Sequence, residues 1–137
     1  MDDLRDRINL ESVSINRRPD GRYIAEVVLG WSGGGTFVGK AERDGSETAE
    51  LECSAEATLR ALEIAVDQKV TFKLLGVQAV KRFGVILVVV SISTRLDENE
   101  ELLTGSCLSR GKPNESAARA VLKATNRLVR SNFIYLH

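Results

Sequence analysis

Histidine is nearly absent from this chain: of 137 residues only His137, the last, is one. A chain end is a poor place to hold a catalytic base, so Ser-His-Asp and Cys-His chemistry are not expected. There are only two cysteines, Cys53 and Cys107, and neither lies in a CxxC or Cys/His pattern, so no metal site is expected. Both sit among apolar or small residues and read as buried free thiols of a reducing cytosol. Net charge is also missing, with 19 basic and 19 acidic residues. A dedicated nucleic-acid binder carries a basic excess, and this chain has none. The longest apolar run, Val85–Val90, is too short to span a bilayer. The opening MDDLRDR is acidic and lacks an apolar h-region, so no signal peptide is expected. These absences point to a cytoplasmic protein without cofactor, metal or membrane.

What is present is a folding chain. Hydrophobic residues make up 43%, enough for a core. Residues 7–17 alternate apolar and polar with a slip after Leu10, which predicts a strand with a bulge. RPDG (18–21) is a turn, 22–31 a second strand rich in β-branched residues, SGGG (32–35) a hairpin loop and 36–43 a third strand. A helix is predicted over about 50–67. The order then recurs: strands over 69–82 and 83–96, an acidic turn at 97–101, a strand over 102–111, and a helix over 115–131.

The recurrence reaches individual residues. Gly39 matches Gly105 at an offset of 66, and Ala57-Thr-Leu-Arg-Ala matches Ala120-Val-Leu-Lys-Ala at an offset of 63. The three-residue difference falls in the loop before the helix, where length changes are tolerated. The fold class is therefore α+β: one domain over 1–137, built from two βββα repeats, about 7–67 and 69–131, with an apolar tail at 132–137. A unit of about sixty residues is marginal alone, so the halves are expected to share one core.

The helices have one small apolar side each: Ala55, Leu59, Leu62 and Val66 in the first, Ala118, Val121, Thr125 and Leu128 in the second. Their polar sides differ in sign. The first shows Glu52, Glu56, Glu63 and Asp67 beside Arg60; the second shows Arg119, Lys123, Arg127 and Arg130. Two solvated faces are the plain interpretation, an acidic-to-basic contact the sharper one. VILVVVSI (85–92) is apolar at successive positions, so both faces of that strand need cover. With the tail FIYLH (133–137), this predicts a homodimer or larger assembly.

GWSGGGT (30–36) lacks the Walker pattern and leads into a strand, so a hairpin loop is expected rather than a phosphate cradle. GSCLSRGKPNES (105–116) is the stretch singled out for binding. Asn114 is placed to cap the helix, and free backbone N–H groups near Ser116 would accept a carboxylate or other anion with help from Arg110. Gly105, Ser106, Cys107, Ser109, Arg110, Asn114 and Ser116 are the candidate ligand-binding residues; no residue is assigned to catalysis.

The stretch GSCLSRG followed by ESAARAVLKATNRL resembles the C-terminal regulatory domain of 2-isopropylmalate synthase and citramalate synthase. Gly105, Glu115, Ser116, Ala117, Ala118, Arg119, Ala120 and Asn126 fit its strand-loop-helix type, and LESVSI, YIAEVVL and TFVGKAE resemble its first unit. The resemblance spans roughly 7–131. It departs at Cys107, where the family has a second glycine, and at Arg110-Gly111, where it has Thr-Asp. The resemblance implies a non-catalytic βββα duplication that dimerises, binds a small amino-acid or carboxylate effector, and acts on a partner enzyme. Two alternatives stand beside it: an enzyme using the 105–116 loop, and a nucleic-acid module using the basic side of the second helix.

Overall fold

The computed structural model describes residues 8–132. His137, the tail 133–137 and the acidic stretch 1–7 lie outside the described residues. The elements run β1 (Ile8–Arg17), β2 (Tyr23–Trp31), β3 (Gly35–Arg43), α1 (Ala49–Ala65), β4 (Val70–Arg82), β5 (Val85–Leu96), β6 (Asn99–Ser109) and α2 (Pro113–Asn132). They form two antiparallel three-stranded sheets, β1-β2-β3 and β4-β5-β6, each followed by its helix. The duplication of a βββα unit is thus a property of the fold.

The helices occupy the middle of the molecule. The α1 helix lies on β2 and β3 of its own sheet and on β4 of the other, while α2 lies on β5 and β6 and touches β1. They run side by side in the same direction: Ser54 near the start of α1 hydrogen-bonds the carbonyl of Asn114 in α2, and Leu62 shares a small cavity with Leu122 and Thr125. Eleven of the 17 residues of α1 are buried, because it meets neighbours on three sides. That position explains the alanines. A middle-layer helix must approach two sheets and a second helix, and only short side chains allow it.

The closest approaches are at the matched glycines. A Cβ on Gly39 would stand 2.0 Å from the Ala57 carbonyl oxygen and 2.4 Å from the Ala61 nitrogen. A Cβ on Gly105 would stand 2.3 Å from the Ala120 oxygen and 2.8 Å from the Ala124 nitrogen. Each sheet therefore lays bare backbone from its third strand onto the first and last alanines of the same helical motif. The bulge is duplicated as well. The β1–β2 register slips between Leu10 and Ser12, and the β4–β5 register between Leu74 and Gly76. One core runs through both halves, from Val27 and Leu29 through Leu59 and Leu62 to Val90, Ile92 and Val121.

Two boundaries differ from expectation. The acidic turn is only Asp97-Glu98, and Asn99–Glu101 pair with Leu96–Thr94 as part of β6. Phe83, read as strand, forms a two-residue turn with Gly84, both at positive φ (52° and 75°), and its ring is fully exposed. That conformation matches strand twist in tight hairpins, and the closing Arg82–Val85 pair leaves no other residue to adopt it. No described helix is long and apolar enough to cross a membrane.

Candidate functional site

Strand alternation divides the candidate binding residues. Cys107 pairs with Val88 and Gly105 with Val90, so both face the helices, whereas Ser106 faces outward with Val89. Gly105 is filled by α2 backbone, and Cys107 is buried with its thiol on the Leu108 carbonyl at 3.5 Å. Ser109 Oγ is buried without a hydrogen-bond partner. Ser116 Oγ bonds back to the carbonyls of Lys112 (3.2 Å) and Leu108 (3.5 Å). Arg110 is exposed in the bend before α2.

Asn114 does not cap the helix. With the helix beginning at Pro113, Asn114 lies inside the first turn, and the Ser116 amide bonds the Lys112 carbonyl instead. The Asn114 side chain reaches Glu50 of α1 at 3.3 Å and its carbonyl accepts from Ser54 Oγ. It thus ties the two helix starts together. The open part of the predicted loop is a groove of about 440 Å³ between Val13, Ile15, Glu50 and residues 111–115.

The thiols are core groups. Cys53 is fully buried, its Sγ 3.3 Å from the Tyr23 carbonyl, and burial pushes its pKa up. A folded thiol that holds its proton beyond the pH at which the unfolded one ionises makes stability fall as pH rises past the ordinary thiol value. We predict that iodoacetamide leaves Cys53 and Cys107 unmodified in the native protein at pH 8 and labels both in urea. Rapid native labelling of Cys107, read by mass spectrometry, would support an enzyme using this loop.

Among the described residues, Glu56 of α1 and Arg119 of α2 each take a partner outside the other helix. Glu56 pairs with Arg43 at 3.1 Å, and Arg119 with Glu115 at 3.0 Å. Glu63 is buried: it accepts from Arg60 at 2.7 Å and from the Phe72 backbone amide at 2.9 Å, while Arg60 also donates to the Phe72 carbonyl at 3.1 Å. Arg60 and Glu63 thus satisfy both peptide groups of Phe72 on the open edge of β4 and fix that point to α1.

The matching place in the second half is open. Ile8 and Asn9 of β1 face Arg119, Leu122, Lys123, Asn126 and Arg130 of α2 across a groove of about 440 Å³. These α2 positions, spaced three, four, seven and eleven residues from Arg119, share one helical face. Beneath the groove a tight cavity of about 20 Å³ continues between the helices, bordered by Leu62, Thr125 and Val129. The basic side of this helix was legible in the sequence; Ile8, Asn9 and the Asn126 exchange were not singled out. The repeat offset that pairs Ala57 with Ala120 also pairs Glu63 with Asn126, and carries that signal. Comparison with known proteins finds no family model that matches the chain and no matching curated protein.

Proposed function

We propose that the protein is a non-catalytic regulatory or assembly module that works as a homodimer, its two copies meeting through the outer face of the second sheet. The observation that carries this is the composition of that face. Across its middle the rows read Val80, Leu87, Leu108; then Gln78, Val89, Ser106; then Gly76, Ser91, Thr104, with no charged residue. Leu108 in the first of these rows is 52% exposed, and Leu102, 70% exposed, lies in the next row along with Ser93 and Lys73. The corresponding face of the first sheet carries Glu26, Lys40 and Glu42, with Lys40 and Glu26 paired at 3.6 Å. An uncharged face suits a second copy of itself, since a two-fold contact sets each residue against the same surface. Three strands of this length present about 500 Å² in projection, against about 800 Å² per partner in a standard interface, and the protruding β4–β5 hairpin adds to it.

The resemblance to the regulatory domains of 2-isopropylmalate and citramalate synthases supports the same reading. In it the effector is a small carboxylate or amino acid, a separate enzyme is the regulated partner, and a reducing cytoplasm keeps both thiols free. Sedimentation equilibrium tests the dimer. The unaltered protein is expected at twice the chain mass, and Leu108→Lys with Leu87→Lys at the chain mass with its helix and strand signals intact. Val38→Lys, on the outer face of the first sheet, is expected to leave the dimer unchanged. A monomer at 100 µM, or a dimer untouched by the double variant, removes the assembly half of the proposal.

A further inference from the structure

The bulge and the glycine–alanine contacts match the two halves element by element, and one exchange then stands out. Where the first half has Glu56, Leu59, Arg60, Glu63 and Asp67, the second has Arg119, Leu122, Lys123, Asn126 and Arg130. The shared bulge sets Ile8 at the place of Phe72. In the first half the Glu63 carboxylate fills the corner between helix and strand edge, held by a guanidinium and a backbone amide. In the second half that carboxylate is replaced by the neutral amide of Asn126, the surrounding acids by cations, and the corner by a groove.

We propose that this groove binds a small carboxylate with a short apolar tail, whose head group takes the place that Glu63 takes in the other half. Lys123 stands where Arg60 stands and receives the negative charge, and the amide of Ile8 stands where that of Phe72 stands. Arg119, ion-paired with Glu115, and Arg130 border the same groove. Leu122 and Ile8 form its apolar floor, along which the tail lies; the cavity beneath, about 20 Å³, admits no more than a water-sized group. A nucleic acid fits less well: the basic face is one helix side about 17 Å long on a chain of zero net charge, which gives little counterion release. The assignment rests on the ligand-binding half of the proposed function and is independent of dimerisation.

The test uses the full chain with hexanoate, followed by amide chemical shifts and titration calorimetry. Hexanoate is expected to shift Ile8, Asn9, Lys123 and Asn126, and hexylamine to shift none of them. Lys123→Ala is expected to weaken binding about tenfold, the loss of one charge-assisted contact. Asn126→Glu supplies the missing carboxylate from within and is expected to abolish binding while melting no lower than the parent. Undiminished binding to Asn126→Glu, equal response to hexylamine, or shifts confined to other residues overturns the assignment. So does an oligonucleotide that displaces hexanoate with steep salt dependence, which would give the face to nucleic acid. Failure here with an intact dimer in sedimentation removes this site alone; loss of the dimer with hexanoate still bound removes the assembly reading alone.

Discussion

Gly39→Ala is expected to destabilise the protein by about 3 kcal/mol, with a fall of about 10 °C in melting temperature. A glycine in a strand is ordinarily a weakness, and replacing it with alanine restrains the unfolded chain and stabilises slightly. Here the sign is reversed by geometry. The new methyl would meet the Ala57 carbonyl and the Ala61 nitrogen, both helix backbone that no rotamer change can move. The sheet and helix must separate, and the loss spreads along the Cys53, Ala57 and Ala61 contact line. Gly105→Ala is expected to behave alike, against Ala120 and Ala124. Gly76→Ala is the control, since its Cβ would meet nothing within 4 Å of its own chain; because Gly76 lies on the proposed dimer face, all three are compared in the Leu87→Lys, Leu108→Lys background. Thermal unfolding of the three variants checks the argument, and equal melting temperatures for Gly39→Ala and Gly76→Ala would refute it.

Glu63→Ala is expected to cost about 2–3 kcal/mol, most of it from what the carboxylate leaves behind. The Phe72 amide loses its buried acceptor, and Arg60 keeps only the Phe72 carbonyl. Glu63→Gln retains an acceptor for the amide and should cost about 1 kcal/mol, which is the worth of a net hydrogen bond. Urea unfolding midpoints separate the two. A cost that shrinks strongly in 1 M salt would contradict the burial of the pair, because a screened contact belongs to an exposed one.

The duplicated architecture is legible in the sequence because close packing leaves its mark locally. Only glycine lets a strand touch helix backbone, and only alanine lets the helix receive it, so Gly39 with Ala57 and Gly105 with Ala120 carry the contact in their identities. The β1 bulge was legible for a similar reason, as the alternation breaks after Leu10. Its counterpart at Leu75 was not, because Leu74 and Leu75 are both apolar and hide the slip. The Phe83 turn is not legible, since nothing in a phenylalanine announces a positive φ; the two-residue closure imposes it. Asn99–Glu101 have the polarity of a loop, yet an exposed hairpin end tolerates charge.

The candidate binding stretch was harder. Composition marks 105–116 as small and polar, but alternation sends Ser106 to one face and Gly105 and Cys107 to the other. Asn114 looked like a cap and instead joins the helices, since its partner Glu50 is 64 residues away. The groove at Ile8 depends on β1 lying against α2, a contact between the two ends of the described chain. No local pattern encodes that meeting.

That meeting makes the architecture cyclic. A four-residue link, Val66–Lys69, carries the chain from α1 to β4. Ile8 at the start of β1 lines the same groove as Arg130 near the close of α2, so the last helix returns to the first strand as the first helix passes to the fourth. Neither half is structurally the leading one: within the described residues, the contact of α2 with β1 repeats that of α1 with β4.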